Sequence, residues 1–110
     1  MTESTPFNVL SDLLKLYAKE MIVKYDTDTN FYLEETRSSD KPQMFGAVQI
    51  KKNYTSFHLF PVYTHPDLLN DVSDDLKKRM QGKSCFNFKK VDQVPLAELE
   101  GLLRRSYNTL

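Results

Sequence analysis

The strongest constraint on the fold is an alternation of apolar and polar side chains in residues 45–63, FGAVQIKKNYTSFHLFPVY. Side chains of a strand point alternately to its two faces, so two alternating runs joined by a short polar step predict a β-hairpin. A turn at Lys52-Asn53 is favoured because Asn tolerates positive φ. This turn pairs Lys51 with Tyr54, Ile50 with Thr55, Gln49 with Ser56, Val48 with Phe57, Ala47 with His58 and Gly46 with Leu59.

This register divides the hairpin into an apolar and a polar face, because residues directly opposite each other share a face. A slip of one residue would mix the two sets. The apolar face collects Val48, Ile50, Phe57 and Leu59. The polar face collects Gln49, Lys51, Tyr54, Ser56 and His58. The same register pairs Phe45 with Phe60 on the polar face, and Pro61, which lacks an N–H, predicts that the pairing ends nearby.

Two amphipathic segments flank the hairpin. The first is predicted to be helical from Phe7 to about Tyr25, with Thr5 as its cap and Pro6 at its first position. Its apolar stripe contains Phe7, Leu10, Leu14, Tyr17 and Met21, widened by Leu13 and Leu16. The last is predicted to run from Pro95 to about Tyr107, and Gly101 in its middle predicts a close packing contact.

The remaining segments predict short elements. Residues 26–30, DTDTN, have turn chemistry, and residues 31–36 read as a strand. A short helix or helical turn is expected in residues 64–71, and another between Ser73 as N-cap and Gly82. Residues 84–90, SCFNFKK, predict a strand with Phe86 and Phe88 on one face. Cys85, Asn87 and Lys89 fall on the other face.

Taken in order, these elements predict the α+β class. We expect a two-layer sandwich in which an antiparallel sheet of about four to five strands carries the N- and C-terminal helices on one face. The length suits a single domain over residues 1–110, with residues 1–5 frayed.

Composition narrows the classes of partner. Fifteen acidic and fifteen basic residues give a net charge of zero, which argues against a general nucleic-acid or anionic-membrane binder. No apolar run approaches the roughly 20 residues of a membrane span. MTESTPF has neither the basic start nor the apolar centre of a signal peptide, and the single cysteine has no partner for an internal disulfide. We therefore expect a cytoplasmic protein, a monomer or weak homodimer.

The candidate site is the polar face of the predicted sheet. Its candidate ligand-binding residues are Gln49, Lys51, Ser56, His58, Lys83, Cys85 and Asn87. A face that mixes such groups suits a non-catalytic module that binds a small molecule or a protein. The residues themselves predict no metal or cofactor and no nucleic acid as partner.

An alternative is a thiol-dependent enzyme that uses Cys85 and His58. A thiol beside an imidazole is a common activated nucleophile, and Lys83 and Lys89 would lower the thiol pKa. No third orienting group accompanies the pair, so the sequence predicts a protein without enzymatic activity.

The segment from Gly46 to Tyr107 resembles a known family. It combines the hairpin GAVQIKKNYTSFHLFPVY, the helix DDLKKRM and the run GKSCFNFKKVDQVPLAELEGLLRRSY. This pattern resembles the YdhG-like family of small bacterial domains of unknown function. The resemblance implies an α+β sandwich with helices packed on one side of an antiparallel sheet.

The same resemblance implies a further alternative, because one member of that family is described as a frataxin-like intracellular iron chaperone. Frataxins bind iron through acids on the first helix and the strand after it. The acids in these regions are Asp12, Glu20, Asp26, Asp28, Glu34 and Glu35. Iron is the one cofactor that the resemblance implies.

Overall fold

The computed structural model describes residues 5–110. Its helices are α1 (Pro6–Lys15), α2 (Phe60–Thr64), α3 (Asp74–Lys77) and α4 (Gln93–Tyr107). Its strands are β1 (Ile22–Asp26), β2 (Asn30–Glu35), β3 (Gln43–Ile50), β4 (Thr55–Leu59) and β5 (Cys85–Phe88). The strands form one antiparallel sheet in the order β1-β2-β3-β4-β5, so the predicted α+β class with an antiparallel sheet is confirmed.

The predicted hairpin register is confirmed between β3 and β4. Every pair from Gly46–Leu59 to Ile50–Thr55 is as expected, and the Lys51 amide donates to the Tyr54 carbonyl at 2.8 Å. Ile50 differs from the other residues of the apolar face: it is 47% exposed. It is the last residue of β3, so core residues do not enclose it.

Phe45 corrects the sequence prediction. Leu33 pairs with Gly46 and Glu34 with Met44, which makes Phe45 the extra residue of a β-bulge. The extra residue shifts the alternation, so Phe45 is fully buried in the core instead of lying on the polar face. The predicted pairing with Phe60 is also wrong, because Phe60 is the first residue of α2.

The first helix is shorter than predicted, and the chain gains a strand. α1 ends at Lys15, a 3₁₀ turn follows at Ala18–Glu20, and residues 22–26 form β1 instead of the last turns of a helix. Ile22, Val23 and Tyr25 have high strand propensity, and pairing with β2 overrides the helical spacing of the apolar residues. Leu16, assigned to the apolar stripe, is 69% exposed.

Both ends of the last helix and its glycine can be compared with the prediction. α4 starts at Gln93, two residues before Pro95, and ends at Tyr107 as expected. The close contact expected at Gly101 is absent, since the nearest atom to a Cβ built there is an Arg105 guanidinium nitrogen at 3.6 Å.

Most of the smaller caps agree with the sequence. Thr5 Oγ1 accepts from the Asn8 amide at 3.1 Å, so Thr5 is the cap of α1, whereas residues 1–4 of the expected frayed segment lie outside the described residues. Ser73 caps α3 by accepting from the Leu76 amide at 3.2 Å, but α3 ends at Lys77, before the predicted end at Gly82, whose φ is 82°. A positive φ of this kind is favourable mainly for glycine.

The terminal helices and the sheet share one core. α1 contacts β3 and β4, and α4 contributes Leu99, Leu102 and Leu103 to the same cluster as the buried phenylalanines of the sheet. A Cβ at Gly46 would lie 2.9 Å from Leu14 Cδ2, so α1 reaches the sheet here only because the residue is glycine.

The outer edge of β5 is covered by residues 79–81. The Asn87 amide donates to the Arg79 carbonyl at 2.8 Å, and the Gln81 amide donates to the Cys85 carbonyl at 2.9 Å. This pairing places Gln81 beside the polar face. Across residues 5–110, no helix combines the length and the hydropathy that crossing a membrane requires.

Candidate functional site

Strand β4 brings the predicted site residues together, because it pairs with β3 on one side and β5 on the other. Ala47, His58 and Cys85 form one row across the three strands. Gln49, Ser56 and Asn87 form the next row on the same face. The adjacency of the hairpin and the strand at residues 84–90, which the sequence prediction assumed, is therefore observed.

These rows line a groove of about 300 Å³ on the polar face, which we name the polar groove. Its lining consists of Met44, Ala47, Gln49, Lys51, Tyr54, Ser56, His58, Gln81, Cys85 and Asn87. Six of the seven predicted site residues are among them, the exception being Lys83. The predicted alternation already placed Ala47 and Tyr54 on or beside this face. Gln81 lies there because residues 79–81 pair with β5.

Lys83 lies outside the polar groove, contrary to the prediction. Its Nζ stands 5.8 Å from the centroid of the Tyr63 ring, in a cation–π contact. The chain bends through residues 82–84, and β5 begins only at Cys85. Period-two alternation does not extend to Lys83 because that residue is not part of the strand.

Ala47 forms the floor of the polar groove. It is only 2% exposed although it lies on the open face, since larger side chains surround it. Without the bulge at Phe45, regular alternation would place a phenylalanine two residues away on this same face. The bulge therefore keeps a bulky ring away from the floor of the groove.

His58 is half-buried beside this floor. Its Nε2 lies 2.7 Å from the Ser84 hydroxyl oxygen, so the ring is hydrogen-bonded at that nitrogen. Burial lowers the pKa of His58 below its usual value of 6.5, because the protonated ring loses solvation. At neutral pH the imidazole is uncharged and acts as a hydrogen-bonding group.

Cys85 stands directly opposite His58 but lacks the character of a thiolate. Burial raises the pKa of the thiol above its ordinary value, while a hydrogen bond from Ser56 and the charge of Lys51 act in the opposite direction. The sequence analysis expected Lys83 and Lys89 to lower this pKa. The nearby cation is instead Lys51, and the thiol stays protonated at neutral pH.

Two amides of the polar groove are held by neighbouring side chains. The Asn87 side-chain nitrogen donates to Gln81 Oε1 at 2.8 Å. The Gln49 side-chain nitrogen makes a longer contact of 3.5 Å with Asn30 Oδ1. These contacts favour particular rotamers, which reduces the ordering cost of any bound molecule.

A second cavity, of about 650 Å³, continues from the polar groove. The two share Tyr54, Gln81 and Asn87. The other lining residues of the second cavity are Lys78, Arg79, Met80, Lys89 and Lys90. Arg79 is held in place, since its guanidinium is 2.9 Å from an Asp92 carboxylate oxygen and lies over the Phe88 ring.

A further cavity, of about 730 Å³, lies elsewhere, between α1 and the turn that joins β1 to β2. Its ionisable lining residues are Asp12, Lys15, Asp26 and Asp28. We place the candidate site in the polar groove, because the pairing of three strands brings six of the seven predicted residues together there.

Three acids of the iron alternative, Asp12, Asp26 and Asp28, line the cavity beside α1, whereas Glu34 and Glu35 have other partners. Glu35 is buried and accepts hydrogen bonds from the Arg37 amide at 2.8 Å, the Ser38 amide at 3.0 Å and the Ser38 hydroxyl. Glu34 lies 3.7 Å from the Lys24 ammonium. In the described part of the chain, no group of three or more His, Cys, Asp or Glu side chains is arranged to hold a metal ion.

Comparison of this chain with known protein families, with curated proteins and with solved structures gave no match.

Proposed function

We propose that this chain is a non-catalytic binding module whose ligand site is the polar groove. One observation supports the proposal above all others. The pairing of β4 with both β3 and β5 gathers Gln49, Ser56, His58, Cys85 and Asn87 around the small floor residue Ala47. Convergent polar groups above a small apolar floor are typical of ligand sites.

The protonation states of His58 and Cys85 favour binding over catalysis. A thiol nucleophile requires a lowered pKa and a base that can take its proton. Here burial raises the pKa of Cys85 and lowers that of His58, so at pH 7 the thiol keeps its proton and the neutral imidazole is a weaker base than usual. Neutral side chains of this kind donate and accept hydrogen bonds at little desolvation cost, which suits recognition.

The shape of the site favours a small molecule over a protein partner. A volume of about 300 Å³ is at the lower end of the range for small-molecule sites. A stable protein interface buries roughly 800 Å² on each partner and needs a broader surface. We therefore propose a metabolite-sized ligand.

Amide NMR with a library of small polar molecules tests this proposal. We expect ligands to shift the amide signals of Gln49, Lys51, Ser56, His58, Cys85 and Asn87. Shifts confined to α1 and α4 would contradict the proposal, because these helices cover the opposite face of the sheet.

A pair of matched variants separates binding in the polar groove from binding elsewhere. Ser56→Phe fills the groove with a residue that strands accept well. Val23→Phe adds the same ring on β1, where Val23 is 44% exposed. We expect Ser56→Phe to abolish the shifts and Val23→Phe to leave them intact; equal effects of both variants would count against a site in the groove.

Three expectations from the sequence stay predictions. These are the relationship to the YdhG-like family with its iron-chaperone alternative, the cytoplasmic location, and the monomeric or weakly dimeric state. Calorimetric titration of the purified protein with ferrous iron tests the iron-chaperone alternative. Sedimentation tests the oligomeric state.

A further inference from the structure

The polar groove and the adjoining cavity of about 650 Å³ form one continuous groove, the combined groove. One end of it is rich in lysines that make no ion pair within the described chain. Lys51 lines the polar groove, while Lys78, Lys89 and Lys90 line the adjoining cavity. The ion pairs within residues 5–110 are Lys24–Glu34 and Arg79–Asp92, so none of these four lysines has a carboxylate within 4.0 Å in that range. Their ammonium groups are therefore available to a ligand.

This local excess of positive charge contrasts with the whole chain, which has fifteen acidic and fifteen basic residues and a net charge of zero. Neither cavity has an aspartate or glutamate among the described residues that line it. Like charges gathered in a concave surface reinforce one another and raise the local concentration of counter-ions. This end of the groove is consequently complementary to a negative group.

The rest of the groove is neutral. Ser56, Asn87 and the uncharged imidazole of His58 offer hydrogen bonds, and Tyr54 offers a ring face between the neutral and basic parts. Besides His58, Tyr54 is the one aromatic residue in the lining of either cavity within the described chain. The groove thus has a neutral end and a cationic end, with an aromatic side chain at their junction.

We propose that the ligand of this groove is a small organic anion, an inference that rests on the proposed function. Its neutral body lies over Ala47 and Ser56, and its phosphate or carboxylate lies among Lys51, Lys89 and their neighbours. Lysine suits this role because its ammonium is a compact charge that binds such groups without a fixed planar geometry.

A single-stranded nucleic acid fits these observations less well. Sheets that bind it stack successive bases on exposed aromatic residues at the strand centres. The aromatic residues at the centres of β4 and β5 are Phe57, Phe86 and Phe88, and all three are fully buried. Among the described lining residues of the two cavities, only Tyr54 and the half-buried His58 carry aromatic rings, which favours a small ligand over a run of stacked bases.

Amide NMR titration with four probes that share a phenyl ring tests the inference. The anionic probes are phenyl phosphate and benzoate, the neutral probe is benzyl alcohol and the cationic probe is benzylamine. We expect the two anions to shift the amides of Lys51, Tyr54, Asn87 and Lys89, and to do so less at high ionic strength, which screens exposed charges. Preference for phenyl phosphate or for benzoate identifies the anionic group.

Matched variants remove equal charge inside and outside the groove. The double variant Lys51→Gln with Lys89→Gln should weaken the binding of the preferred anion on the order of tenfold. It loses two exposed ion pairs with the anion, each of which contributes up to about 0.7 kcal/mol. Lys19→Gln with Lys41→Gln removes the same charge at exposed positions outside both cavities and should leave the affinity unchanged.

The outcomes separate this inference from the proposed function. Groove shifts with benzyl alcohol but not with the anions would overturn the anion proposal and leave the binding module standing. Shifts with none of the probes, or with a hexanucleotide alone, would also overturn the anion proposal. An equal loss of affinity in both double variants would show that general charge attraction, not the groove, holds the anion.

Discussion

The two faces of the same sheet have opposite properties. On the face covered by the helices, Phe57, Phe86 and Phe88 are fully buried. On the open face, the residues that alternate with them along the strands are Ser56, His58, Cys85 and Asn87, all of them half-buried. The comparison shows how period-two alternation lets one pair of strands provide both stability and a recognition surface.

One residue crosses from the expected face to the other. Regular alternation assigns Phe45 to the open face, and the bulge opposite β2 turns it into the core. There its ring centroid lies 5.9 Å from that of Tyr17 and 6.3 Å from that of Tyr107. The bulge thus strengthens the covered face and removes a bulky ring from the open one.

Truncation of Phe45 is the strongest way to sharpen the comparison. We expect Phe45→Ala to lower the free energy of unfolding by about 3–5 kcal/mol, because it leaves a cavity in the core. On the open face, Gln49→Ala should cost under about 1 kcal/mol. Urea denaturation measures both, and similar losses would mean that Phe45 is not a core residue in solution.

Gly46 and Gly101 provide the next comparison, in which the same substitution has opposite signs. Gly46→Ala places a Cβ 2.9 Å from Leu14 Cδ2 and 3.2 Å from the His58 carbonyl oxygen, so we expect a loss of about 1–3 kcal/mol as α1 moves away. Gly101→Ala meets no close atom, and its higher helix propensity should stabilise by up to about 1 kcal/mol.

Thermal denaturation followed by circular dichroism distinguishes the two glycine variants. The melting temperature should fall for Gly46→Ala and rise for Gly101→Ala. A rise for both would show that α1 does not lie as close to β3 as the structure indicates.

The half-buried imidazole of His58 makes stability depend on pH. Its pKa is below 6.5 in the folded protein, so the unfolded chain binds the proton more readily. The contribution is fully present above pH 6.5 and is lost as the pH falls from there towards the folded pKa.

Urea midpoints measured from neutral to mildly acidic pH test this dependence. Stability should fall less with acid in His58→Gln than in the parent protein, and His65→Gln serves as the control for loss of an exposed imidazole. An unchanged acid dependence in His58→Gln would contradict the burial of this ring.

The smallest expected effect concerns Cys85. Because burial raises its thiol pKa, we expect iodoacetamide to alkylate the folded protein more slowly than the urea-unfolded chain at the same neutral pH. Cys85→Ser should alter the free energy of unfolding by less than about 1 kcal/mol. Faster alkylation of the folded state would restore the thiol-enzyme alternative.

Local patterns in the sequence predicted much of the fold and most of the site. The hairpin register, the Thr5 and Ser73 caps and six of the seven candidate residues follow from alternation and capping rules. Each of these features depends on residues that are close in sequence, so the sequence alone is enough to predict it. Lys83, the seventh candidate, lies before the start of β5 and contacts the Tyr63 ring instead of the polar groove.

Tertiary structure decided what depends on distant pairing. The helical spacing of apolar residues extends to Tyr25, yet residues 22–26 form β1 because they pair with β2, with one irregularity at Lys24. The bulge at Phe45 arises where β2 meets β3, and Gln81 reaches the groove through β5. The sequence by itself determined which side chains share a face within each strand. Only the assembled sheet determined which strands are neighbours, because strand pairing is a competition among long-range contacts that no local pattern records.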